Sequence, residues 1–124
     1  MAKVNVRYSN GARRRSLRRW LRSLGRPCWI CREFGRSGEI DYSLPAGHPL
    51  CFEVDELVPV SLGGDPLDPS NVDAAHRCCN QWRGNKTVAQ VRAIAHGSYQ
   101  SETRVAPTVT SRDWRSQRAC KAIE

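Results

Sequence analysis

Apolar positions recur along this chain with two different periods. Leu17, Trp20, Leu21 and Leu24 stand at i, i+3, i+4 and i+7 among arginines, which predicts a helix from about Gly11 to Leu24 with one apolar face. Gly25 and Pro27 stop it. From Phe52 to Val60 the pattern shortens to alternation in a β-branched run, which predicts a strand. A loop rich in Gly and Pro follows, and Asn71 to Ala75 returns as a short second strand. The helical period resumes near Arg77 and runs past Trp82, then continues or restarts from Thr87 to Ala95 with Val88, Val91 and Ile94 inward, until Gly97. Cys28 to Cys31 reads as a tight turn, and residues 32–51, with three glycines and two prolines, as an irregular loop.

These elements divide the chain into an unpatterned segment 1–10 expected to be disordered, a basic helix 11–27, a central domain 28–97 and a loose basic tail 98–124. With 124 residues and only two Phe, the domain has little apolar surface to bury and would gain from a staple. No apolar run reaches membrane-spanning length and no secretory signal is visible, so no membrane partner is expected and the cytoplasm is the expected compartment. Six cysteines there read as metal ligands or reduced thiols rather than disulfides.

Charge sharpens the division. Residues 1–27 carry nine Lys/Arg and no acid, residues 28–76 two against nine acids, and residues 77–124 nine against three. A cation-binding middle flanked by basic segments fits contact with a polyanion, and nine uncompensated charges exceed what solubility requires. Arg13, Arg14, Arg15, Arg18, Arg19 and Arg22 on the first helix are the candidate phosphate contacts. The alternative is a solvated helix face.

Cys28 and Cys31 form a C-x-x-C pair, and His76 and Cys79 an H-x-x-C pair where the second strand meets its helix. Thiolate and imidazole are the ligands tetrahedral zinc prefers, and two close pairs on separate elements let one ion pin them together. Four protein ligands leave no open position, so the zinc would be structural. Cys78 breaks the spacing and is expected to be packed; Cys51 and Cys120 are expected to be ordinary thiols.

The segment Phe52-Glu-Val-Asp-Glu-Leu-Val-Pro-Val-Ser-Leu-Gly-Gly, followed by Asn71 and by His76-Arg-Cys-Cys-Asn-Gln-Trp-Arg-Gly-Asn-Lys86, resembles the HNH endonuclease family. It is most similar to the small zinc-knuckle members encoded by actinobacterial phages. The resemblance is specific over residues 28–86. It implies an α+β fold: a ββα-metal hairpin-plus-helix core stapled by the zinc site. It further implies that Asp55 and Asn80 ligate a catalytic Mg²⁺ or Mn²⁺, that Asn71 ties the hairpin loop together, and that Arg83 and Lys86 hold phosphate.

Where the family places a histidine as general base, this chain has Glu56. Glutamate reaches about as far, but it is a weaker base unless its site raises its proton affinity. Three roles are open: working base, extra metal ligand, or a substitution that silences the centre. His48, in a Gly-His-Pro turn, and His96, at a helix end, have local explanations. The expected activity is metal-dependent hydrolysis of DNA phosphodiester bonds. DNA is the expected partner, and analogy with phage relatives adds a packaging terminase in a bacterial host cytoplasm. The alternative is a catalytically weakened zinc-knuckle DNA-binding or adaptor protein. Oligomeric state is not legible.

Overall fold

The computed structural model describes residues 6–97, with side chains from Asn10 onward. In chain order it has α1 (Val6–Ser23), α2 (Trp29–Glu33), β1 (Phe52–Glu56), β2 (Val72–His76), α3 (Arg77–Arg83) and α4 (Val88–Ala95). The architecture is α+β, with a single two-stranded sheet among the described residues. Strands β1 and β2 pair antiparallel, Phe52 opposite His76 and Glu56 opposite Val72.

Helix α1 begins at Val6 rather than near Gly11. Once a turn is nucleated each further residue adds a hydrogen bond, and this offsets the roughly 1 kcal/mol that a glycine costs inside a helix. Cys28 to Cys31 is not an isolated turn but the start of α2, with Cys28 as the N-cap whose sulfur accepts the Cys31 N–H. Strand β1 stops at Glu56, short of Val60, because Val58 is captured by the Asn71 side chain and Pro59 has no N–H to give a ladder. Thr87 caps α4 through a reciprocal pair with Gln90. The expected tail 98–124, with Trp114 and Cys120, lies outside the described residues.

The hairpin separates two small cores. Phe52, Val72 and Ala74 pack with Leu21 of α1, with Leu17 and Val54 at the edge. On the other side Cys28, Trp29, Ile30, Cys31, Cys79, Trp82 and Val91 gather with Ala75. Alternation along β1 thus sends Phe52, Val54 and Glu56 toward α1, and Glu53 and Asp55 toward α3. The predicted apolar face of α1 is only half used: Leu21 is fully buried, whereas Trp20 and Leu24 remain 39% and 43% exposed. Among the described residues no helix is long and apolar enough to cross a membrane.

Candidate functional site

Cys28 and Cys31 come from α2 and its cap, His76 from the end of β2, and Cys79 from the first turn of α3. Their four ligand atoms lie within 4.8 Å of one another, and all four residues are buried. Cys31 Sγ is 3.6 Å from both Cys79 Sγ and His76 Nδ1, and Cys79 Sγ is 3.8 Å from that nitrogen. A tetrahedron with Zn–S bonds of about 2.3 Å and a Zn–N bond near 2.0 Å has edges of about 3.5–3.8 Å, so the donors are spaced for zinc. His76 Nε2 lies 3.0 Å from the Glu39 carbonyl. Donation there leaves Nδ1 as the ligand nitrogen and fixes the ring.

The thiols of the cluster also perturb one another. Hydrogen bonds from Cys31 and Cys79 hold the Cys28 thiol far below its usual range, against burial. Cys31 is pushed up to about 12, chiefly by its contact with Cys28, and Cys79 is driven up for the same reason. Three buried thiols this close raise one another's cost of ionising, and a divalent ion would supply the opposing charge. Gly38 closes the knuckle. Its carbonyl accepts the Cys28 N–H at 2.8 Å, a Cβ would sit 3.0 Å from the Cys28 carbonyl oxygen, and its φ of +71° is one that side chains avoid.

Cys78 stays out of the cluster because consecutive helical residues point about 100° apart. It is packed in the core as expected, although as a disulfide-bonded half rather than a thiol, whereas Cys51 is a free buried thiol. His48 is taken up locally, accepting the Leu50 N–H, and His96 lies 3.4 Å from Glu33. Neither is brought to the hairpin by a contact that the structure shows.

Asn71 knits the loop between the strands. Its Nδ2 donates to the carbonyls of Val58 and Asp65, and its Oδ1 accepts the Val58 N–H. Gly64 lies against this knot, where a Cβ would fall 1.6 Å from the Val58 carbonyl oxygen.

Asp55 is buried, and its Oδ2 accepts from Trp29 Nε1 and from Arg83 Nη1, each at 2.8 Å. Burial pushes its carboxyl above the usual aspartate range, with Arg83 and Trp29 opposing. The rest of the Arg83 fork is spent on backbone: Nη1 also donates to Glu56 O, Nη2 to Leu57 O, and Nε to Lys86 O. Lys86 Nζ donates to Trp82 O and lies 4.6 Å above the Trp82 ring. Asn80 Nδ2 donates to Glu53 Oε1 at 3.1 Å. In this arrangement Asp55 and Asn80 do not present a site for a divalent ion. A guanidinium already stands at the carboxylate, and the amide is turned to a different acid. Nor do the described residues hold any group of three or more acidic, His or Cys ligands besides Cys28, Cys31, His76 and Cys79.

Glu56 lies on the opposite face of β1. It lines a cleft of about 180 Å³ with Arg14, Leu17 and Arg18 of α1, Val54 and Pro66. Among the α1 arginines, Arg18 stacks 5.1 Å from the Phe52 ring centre and Arg22 donates to the Tyr42 carbonyl. Arg13, Arg14, Arg15 and Arg19 are exposed.

No family model, curated protein or solved structure matches this chain.

Three partners were not visible in the sequence: Trp29 as a donor to Asp55, Glu53 as the acid beside Asn80, and the Glu39 carbonyl behind His76. Only Glu53 carried a signal, since it stands two residues before Asp55 and so shares its face of a strand.

Proposed function

We propose that this chain is an HNH-type DNA endonuclease, a zinc-stapled hairpin and helix in which Glu56 stands where the family has its histidine base. The observation that carries this reading is the placement of Glu56. Its carboxylate has no protein partner among the described residues, and it opens into a cleft walled by two arginines. A base needs such a free carboxylate, and an anionic substrate needs such cations. In the reaction Glu56 takes a proton from water as the oxygen attacks phosphorus; the bond from phosphorus to one backbone oxygen breaks, and that oxygen leaves and is protonated from solvent. Arg83 acts as a positioning residue, because it grips the Glu56 and Leu57 carbonyls and so fixes the end of β1. DNA is the substrate of this proposal. A packaging terminase as partner belongs to the family resemblance alone.

A second reading, a DNA-binding or adaptor protein that does not cut, is favoured by one contact. The Asp55–Arg83 pair occupies the carboxylate to which the family would assign Mg²⁺ or Mn²⁺.

Supercoiled plasmid incubated with Mg²⁺, Mn²⁺ or EDTA separates the two. Nicking by the wild type, lost in Glu56→Gln at unchanged zinc content, is the expected result. A plasmid that shifts on a gel and is never nicked under any of the three conditions rejects the nuclease in favour of the binder.

A further inference from the structure

We infer that α1 is a wall of the substrate site: the cleft between α1 and the outer face of the hairpin, lined by Arg14, Arg18 and Glu56, receives a phosphodiester group of the nucleic acid. This deepens the reading given above and rests on the chain acting on DNA.

The arginines of α1 differ in what they have left to offer. In a helix Arg14 and Arg18 lie one turn apart on the side that carries Leu17 and Leu21, whereas Arg15 and Arg19 fall on the far side. Leu21 is fully buried against the hairpin, so the Arg14–Arg18 edge is directed along it. The Arg18 guanidinium is held by its face on Phe52, a contact that uses the ring and leaves the planar N–H fork open to an anion. Arg14 makes no side-chain hydrogen bond or ion pair among the described residues, although it lines the same cleft as a carboxylate. Leu17, Val54 and Pro66 supply apolar walls beside the charged groups, which lower the local dielectric and strengthen whatever charge contact forms.

A lone carboxylate repels phosphate, so Glu56 could not serve a phosphodiester without cations beside it. Arg14 and Arg18 are the cations the structure places there. The basic residues on the other side of the hairpin are committed elsewhere. Arg83 is buried with four of its five N–H donors given to Asp55 and to backbone carbonyls, and Lys86 is held on Trp82. The substrate therefore lies across the α1 side of the hairpin, and Arg83 and Lys86 are internal supports rather than phosphate contacts.

Binding of a fluorescein-labelled DNA duplex, measured by anisotropy with EDTA present, tests this without cleavage. Glu56→Gln removes the repelling charge and should tighten binding about two- to fivefold, the range of one exposed charge interaction. Arg14→Gln and Arg18→Gln should each weaken it. In the Arg14→Gln background the gain from Glu56→Gln should shrink, because the two side chains would share one phosphate; in the Arg19→Gln background it should persist. Arg14→Lys keeps the charge and should recover part of the loss, which separates a binding effect from a folding one. Glu56→Gln with unchanged affinity, or effects that add fully with Arg14→Gln, overturns the cleft. The coupling is read in EDTA, so a protein that shows it but never nicks plasmid fails only as a nuclease. One that nicks without the coupling fails only here.

Discussion

Arg83 of α3 reaches across to β1 and donates to Asp55 Oδ2 at 2.8 Å, with the two side chains only 3% and 8% exposed. This ion pair joins helix to hairpin on the side away from α1. Its worth lies in being complete: the guanidinium also satisfies three backbone carbonyls, and the carboxylate also accepts from Trp29. Breaking a buried pair from one side strands the other charge and costs about 3–5 kcal/mol. Arg83→Met and Asp55→Asn should each destabilise by that order in urea denaturation, and the double variant by clearly less than the sum. Simple additivity would mean that the two side chains are not coupled.

Zinc should be inseparable from the fold. Each purified chain should carry a single zinc by elemental analysis, and a strong chelator should abolish the cooperative thermal transition. Cys31→Ser and His76→Ala should lose the metal, while Cys51→Ser, whose thiol lies outside the cluster, should keep it. Full zinc content in Cys31→Ser would exclude the site as drawn.

The loop knot is a local feature with a local test. Asn71→Ala leaves the Val58 and Asp65 carbonyls and the Val58 N–H without their side-chain partner, an expected loss of about 1–3 kcal/mol. Gly64→Ala should cost at least as much, because its Cβ would overlap the Val58 carbonyl. Thermal denaturation of both variants, with zinc retained, checks this; a wild-type melting temperature in either contradicts the knot.

Acid titration should divide the aspartates. Burial raises Asp55, so its contribution to stability is full below the unfolded aspartate value, about 3.9, and is lost as pH rises through its own folded value. Asp41 and Asp68 are lowered by hydrogen bonds from Ser43 and Ser70. Their contributions are full above the unfolded value and fade as pH falls through the folded ones. Carboxyl ¹³C shifts followed by NMR should show Asp55 titrating last on acidification's reverse course, at higher pH than Asp41 and Asp68. The opposite order would refute the burial of Asp55.

Local sequence was informative wherever a short-range rule decides the outcome. The Leu17–Leu24 stripe, the alternation from Phe52 and the Val88, Val91 and Ile94 spacing each mark an element because period acts within a few residues. Boundaries were less legible where a distant side chain intervenes. The strand from Phe52 ends early because Asn71, thirteen residues beyond Val58, claims that residue's backbone.

The paired C-x-x-C and H-x-x-C spacings determined by themselves which four residues would meet, since i and i+3 at a helix start converge on one ion. The block of uncompensated arginines likewise announced a helix with more charge than it needs. What only the tertiary structure decided is how neighbouring acids are used. Asp55 and Glu56 are adjacent in sequence, yet a strand turns them to opposite faces. One is thereby delivered to the interior and to Arg83, the other to the cleft beneath α1. Side-chain direction follows from the strand, but which face is closed by a helix core and which by an arginine-lined cleft depends on where α1 and α3 pack, and that is settled by long-range burial rather than by local pattern.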